Sequence, residues 1–283
     1  MIQKLAILLI LGSLFCSCSN TSNESDKKTI YVTIAPLRAF VEEITDCDYN
    51  VEILVPKGAS PETFEPTASD LIALNDAEQI FSIGLINFEQ SLVRSIEEHD
   101  KVVNLSHGIE LVAGSCSHCN HAHGIDPHIW TSPRALKRVV ENIGLAMYSI
   151  APDSIKYRDN AYKLIHKLNT LDSLCNSKIK ANGVDAIMIY HPAFTYYAKD
   201  YDIEQISVEQ DGKEPSPRQL TTLVNRVRQH NISKLLIQPQ YSKDKLRALA
   251  TECSAEIVEI DPLSEDIIAE IERVTNLICS SNE

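Results

Sequence analysis

The chain has 283 residues and a formal net charge of −13, from 26 Lys and Arg against 39 Asp and Glu. A balance this acidic lacks the basic footprint that nucleic acid requires, and it is mildly suited to concentrating cations near the surface. Eight cysteines are too sparse over this length for a disulfide-dependent scaffold, and their spacing fixes no connectivity.

Met1 to Lys4 carries one positive charge and Leu5 to Leu11 is an unbroken apolar run, the n-region and h-region of a secretory signal. Extended to Cys16, the run is still well short of the roughly 20 residues that span a bilayer. It ends in Leu14-Phe15-Cys16-Ser17-Cys18-Ser19-Asn20, a small residue before a cysteine, as in a bacterial lipoprotein signal. Cys18 is the lipidation candidate, because Ser17 suits the position before the cut and Phe15, before Cys16, does not. The alternative is a plain secretory signal with two incidental cysteines. Residues 1–18 are thus expected to be a signal peptide and 19–28 a flexible polar tether. Roughly 265 residues remain, enough for one large domain or two smaller ones.

Ile30 to Ala35 is β-branched and stops at Pro36, which predicts a strand. Leu37 to Ile44 has helical spacing, and Val51 to Val55 is a second strand closed by Pro56-Lys57-Gly58. A helix over Ser69 to Ala77, a strand over Gln79 to Ile83, a helix over Asn87 to Glu98 and a strand over Lys101 to Leu105 follow. From Pro152 to about Lys180 there is no glycine and no interior proline. Tyr157, Ala161, Leu164, Leu168, Leu171 and Cys175 recur at spacings of four and three, one apolar stripe on a helix. Such a helix is about 40 Å long, although periodicity admits two shorter helices in sequence. Strands return at Ala186 to Tyr190, Gln205 to Val208, Lys234 to Gln238 and Glu256 to Ile260. Helices are expected at Pro217 to Asn231, Lys243 to Cys253 and Ser264 to Cys279. Alternating strands and helices predict an α/β fold with mainly parallel sheets. The expected organisation is an N-terminal lobe over 29–151, a connecting helix over 152–182 and a C-terminal lobe over 183–283. No Gly-rich nucleotide fingerprint follows any strand.

Four segments at strand ends or in loops carry metal-ligand chemistry: Gly58 to Pro66 with Glu62, Gly124 to Trp130 with His128, Tyr190 to Phe194 with His191, and Glu259 to Leu263 with Asp261. Ligands of open α/β sheets bind beyond the carboxyl ends of strands, so two segments per lobe would converge on the cleft between them. Two imidazoles and two carboxylates suit a first-row divalent ion, and four protein donors suit zinc. Taken singly, each segment reads as a turn or a loop; their joint placement carries the reading.

These motifs resemble those of the metal-binding family of ABC-transporter substrate-binding proteins, the zinc and manganese branch. That family has a Gly-Ala-Asp-Pro-His-x-x-Glu-Pro loop, matched by Gly58 to Pro66, and Asp-Pro-His-x-Trp, matched by Asp126 to Trp130. Its His-x-Ala-Phe motif with following aromatics is matched by His191, Ala193, Phe194, Tyr196 and Tyr197, its Asp-Pro-Leu by Asp261 to Leu263, and Glu214-Pro215-Ser216-Pro217 is similar to a further family stretch. The matches run in order over essentially the whole mature chain.

One position departs. Where the family's first ligand is a histidine, this chain has Glu62. The resemblance then implies a site of Glu62, His128, His191 and Asp261, or a three-donor site if Glu62 stays off the metal. Oxygen in place of nitrogen hardens the site toward Mn²⁺ or Fe²⁺. A second feature points to Zn²⁺: Ser115 to His123 packs Cys116, His118, Cys119, His121 and His123 into a Ser- and Asn-containing loop, metal-binding by composition. It is similar to the His-rich loop of zinc-specific members; the alternative is a Cys116–Cys119 disulfide with exposed histidines.

The resemblance implies a monomeric, exported, lipid-anchored binding protein that delivers zinc to an ABC permease and its ATPase, with manganese or iron(II) uptake as the alternative. Two other readings stay open. One is a metal-dependent hydrolase using Glu62 as general base, although no nucleophile-elbow context surrounds Ser132, Ser207 or Ser242. The other is a metal-binding adhesin lipoprotein without a transporter.

Overall fold

A computed structural model describes residues 27–114, 124–209 and 215–280. The signal segment with Cys18, the loop residues Cys116, His118, Cys119, His121 and His123, and Glu214 lie outside the described residues.

Two four-stranded parallel sheets organise the chain. The first holds β1 (Thr29–Val32), β2 (Asn50–Ile53), β3 (Gln79–Ser82) and β4 (Val102–Asn104) in the order β2-β1-β3-β4. The second holds β5 (Ala186–Ile189), β6 (Glu204–Ser207), β7 (Lys234–Ile237) and β8 (Glu256–Glu259) in the order β6-β5-β7-β8. The two orders are the same topology repeated. Burial rises toward the middle of each sheet: β3 and β5 are buried at every residue, the other inner strands β1 and β7 at two and three of their four, while the edge strands β2 and β8 are partly exposed. Inner strands of parallel sheets are covered on both faces, which is why Ala186-Ile187-Met188-Ile189 reads as a continuous apolar run.

Helices α1 (Arg38–Thr45), α2 (Ala68–Asn75) and α3 (Asn87–Ser95) belong to the first lobe; α6 (Thr195–Tyr201), α7 (Pro217–Gln229), α8 (Lys243–Cys253) and α9 (Ile267–Cys279) belong to the second. Between them stand α4 (Pro133–Ile150) and α5 (Ile155–Asn182). The 28 residues of α5 form one unbroken helix about 40 Å long, not two in sequence. Its buried residues are the expected stripe extended by one turn to Ile179. α1 from the first lobe and α9 from the second both pack on it, so the helix is a strut shared by the two lobes.

Two helices, α4 and α6, have no counterpart among the elements expected from the sequence. α4 starts where Ser132 accepts from the Ala135 N–H and Pro133 occupies the first turn. Gly144 faces α5, and a Cβ there would meet the Ala161 Cβ at 3.1 Å. The glycine that weakens α4 as a helix is the one that lets it approach α5 closely. No helix among the described residues is long and apolar enough to cross a membrane.

Candidate metal centre

Strand register places His191. In the second sheet Ile189 pairs with Ser207 on one side and Leu236 on the other. Two residues further on, His191 therefore stands level with Glu209 and Gln238. The ladder continues that far, with the Tyr190 N–H donating to the Leu236 carbonyl at 2.8 Å and the Glu209 N–H to the Tyr190 carbonyl at 2.9 Å. The Gln238 amide donates to the His191 carbonyl at 2.8 Å, and Glu209 Oε2 lies 3.3 Å from His191 Nδ1. The Tyr241 ring stacks on the imidazole with centroids 5.9 Å apart and planes at 23°. This leaves Nε2 as the nitrogen that faces the cleft.

His128 stands in the loop that enters α4, and side chains of both lobes hold that loop. Asp126 Oδ1 accepts from the His128 N–H at 2.8 Å and lies 2.9 Å from its Nδ1. Asp126 Oδ2 accepts from the Thr195 hydroxyl at 2.6 Å, and the Asp126 carbonyl accepts from the Tyr196 hydroxyl at 2.8 Å, both from the second lobe. Burial opposes the Asp126 carboxylate, but His128 and Thr195 more than offset it and hold its pKa below the usual carboxylate range. Two more bonds cross the lobes nearby: the Trp130 indole donates to the Pro262 carbonyl at 2.9 Å, and the Thr131 hydroxyl to the Ala193 carbonyl at 2.8 Å.

Glu62 comes from the turn-rich segment after β2, where Phe64 meets the Phe88 ring edge-on at 5.2 Å. Its Oε1 lies 3.1 Å from His191 Nε2, and His191 Nε2 lies 3.4 Å from His128 Nε2. Among the described residues these three form the group able to hold a metal ion, with one donor atom each and all donors within 4.8 Å of one another. Zinc bonded tetrahedrally at about 2.0–2.1 Å keeps its donors about 3.3 Å apart, which the Glu62–His191 and His191–His128 spacings of 3.1 and 3.4 Å approach. Burial disfavours the His191 imidazolium, but Glu209 and Glu62 outweigh it and push its pKa up to about 10. A proton on His191 therefore occupies the place a metal would take, and metal binding must displace it.

Asp261 is not in this group. Its Oδ1 accepts from the Leu263 N–H at 3.0 Å, and it lines a neighbouring cavity of about 690 Å³ that Glu62, His128 and His191 do not line. Burial, and Glu270 and Glu259 nearby, push its pKa up against the Leu263 N–H. The three metal-type residues instead line a cavity of about 40 Å³ with Trp130, Tyr241 and Pro262 among its walls. That is room for an ion or a water, not for an organic substrate, whose pockets run to about 300–1,000 Å³. Sequence reasoning missed Glu209 and Gln238, which only the pairing of β5 with β6 and β7 brings beside His191.

Residues 30–272 match the family described as ZnuA, the periplasmic component A of the zinc-uptake complex. The chain is similar to the high-affinity zinc uptake system protein ZnuA of Bacillus subtilis, at 27% identity over 93% of this chain and 90% of that protein. It is also similar to the zinc-binding lipoprotein AdcA of Streptococcus pneumoniae, at 27% identity over 92% of this chain, which spans 55% of AdcA. A crystal structure of a ZnuA deletion mutant with zinc bound superposes with a TM-score of 0.82 at 29% identity, covering 91% of this chain and all of that one.

Proposed function

The chain belongs to the family of the periplasmic component A of the zinc-uptake complex, and from that premise we propose that it is the zinc-capturing component of an ABC importer. Zinc is held between the lobes by Glu62, His128 and His191. The observation that carries this reading is the convergence of one oxygen and two Nε2 atoms at 3.1 and 3.4 Å. Asp261 supplies a fourth donor after a small shift of the loop around it, since it neighbours Pro262, which lines the same small cavity. The domains are the two lobes with α5 between them.

Capture rather than turnover is supported by the small volume directly around the three donors, about 40 Å³. The bonds from Asp126, Trp130 and Thr131 to the second lobe, together with the shared helix α5, favour local side-chain movement over wide closure of the lobes. The exported chain is anchored through Cys18, and its loaded form docks on a permease that works with an ATPase. The experiment is competitive titration of the purified chain with zinc and manganese, with His191→Ala and Asp261→Ala beside the wild type. One zinc equivalent, lost with His191→Ala and weakened with Asp261→Ala, supports the site. Absence of stoichiometric zinc in the wild type would overturn it.

A further inference from the structure

We infer that Glu209 is a positioning residue for zinc capture: it holds the Nδ1–H of His191 so that the Nε2 lone pair is presented to the ion. The inference rests on the capture site described above. An imidazole that ligates through Nε2 must keep its proton on Nδ1, and a carboxylate facing Nδ1 fixes both that tautomer and the ring plane. Glu209 meets the requirements. It is buried, with 8% exposure, its Oε2 lies 3.3 Å from His191 Nδ1, and its backbone is held by the N–H bond to Tyr190. It stands two residues past the end of β6, its place set by the ladder that continues beyond the strand through the Val208 and Glu209 N–H bonds to Ile189 and Tyr190.

The surrounding groups limit what else Glu209 does. Nε2 of His191 faces Glu62 and His128, on the opposite side of the ring from Nδ1. Gln238 fixes the His191 backbone from the other neighbouring strand, and Tyr241 covers the ring face. The imidazole is therefore gripped at its backbone, its face and its Nδ1, and Glu209 is the grip that selects the tautomer. Asp126 does the equivalent for His128 in the first lobe, so each lobe brings a preset carboxylate–imidazole pair to the ion.

The test uses the full chain with Glu209→Ala, Glu209→Gln and His191→Ala. Zinc affinity is read by competition with a chromophoric chelator. The His191 ring nitrogens are read by ¹⁵N-resolved NMR of the zinc-loaded form, and thermal melts of the chelator-treated proteins check folding. The expected result is a loss of about 10–100-fold in affinity for Glu209→Ala, with most of it restored in Glu209→Gln, whose amide oxygen still accepts from Nδ1–H. The Nδ1–H signal should persist in wild type and Glu209→Gln and be lost in Glu209→Ala. Affinity within about twofold of wild type in a folded Glu209→Ala, with His191→Ala defective, overturns the inference alone. Affinity kept in both Glu209→Ala and His191→Ala overturns the capture site beneath it as well. A loss in Glu209→Ala as complete as in His191→Ala, with no rescue by Glu209→Gln, makes Glu209 a ligand and also overturns the positioning role.

Discussion

The two imidazoles of the centre are held by opposite strategies. His128 sits in a loop with no strand beneath it, and its Asp126 partner takes bonds from its own loop and from Thr195 and Tyr196 across the cleft. His191 sits at the end of an inner strand, and, apart from the contacts of its Nε2 with Glu62 and His128 across the cleft, what holds it comes from its own sheet or the loop after β7. One ligand is fixed by contacts between lobes, the other by the register within one lobe. The first is thus part of the interface that keeps the lobes together, and the second is part of a rigid platform. In the proposed capture site, zinc is the group that touches both.

The largest effect expected from breaking either half is on the metal itself. His128→Ala and His191→Ala should each reduce zinc affinity by more than about 100-fold, since loss of a ligand exceeds the 10–100-fold typical of losing a ligand's hydrogen-bonding partner. Chelator competition decides this, and a variant that keeps wild-type affinity would remove its histidine from the site. Asp126→Ala should sharpen the comparison. It strands the buried His128 N–H and leaves the part-buried Thr195 hydroxyl, as a donor, only its long bond to the Pro192 carbonyl, so a stability loss of about 1–3 kcal/mol is expected beside the weaker zinc binding. Urea unfolding of the chelator-treated protein measures it. A loss no larger than that of Glu209→Ala would mean that the cross-lobe bonds are not what holds the first half.

Glu62 belongs to neither strategy, and its replacement tests donor chemistry. Glu62→His substitutes a nitrogen for the oxygen at 3.1 Å from His191. Nitrogen favours zinc over manganese, so the ratio of their affinities should move toward zinc by on the order of tenfold. An unchanged ratio in parallel titrations would show that Glu62 does not set the preference.

The contrast also explains which parts of the molecule were legible in the sequence. The eight strands follow from short apolar runs, and α8 runs over the expected Lys243–Cys253. His191 could be read as a strand-end residue because Ala186 to Ile189 is so plainly a buried strand. Glu209 could not, because it stands in a polar stretch, Glu209-Gln210-Asp211-Gly212-Lys213, that reads as solvent-facing loop. Only the order β6-β5-β7 carries it to His191. α4 has a readable signal in Ser132-Pro133 and in buried Leu136, Val139, Val140 and Ile143, with Gly144 interrupting it as a helix former. α6, at seven residues, is too short for periodicity to register. Asp261 was grouped with the other donors by its position at a strand end and by resemblance, and the structure sets it beside the larger cavity, where the Leu263 N–H holds its carboxylate.

The smallest predicted effect separates the halves by pH in the chelator-treated protein. Asp126 has a folded pKa below its unfolded value of about 3.9, so its contribution to stability is complete above that pH and is lost as pH falls through the folded value. His191 has a folded pKa raised from 6.5 to about 10, so its contribution is complete below about pH 6.5 and is lost as pH rises through 10. The first half should therefore weaken on the acid side and the second on the alkaline side. In a chain of this size each kcal/mol moves the thermal midpoint by about 2–4 °C, so melts at closely spaced pH values can resolve the two limbs. Asp126→Asn should flatten the acid limb and leave the alkaline one, and His191→Gln should do the reverse. If either variant flattened both limbs, the two imidazoles would be one coupled unit, and the division into an interface half and a platform half would fail.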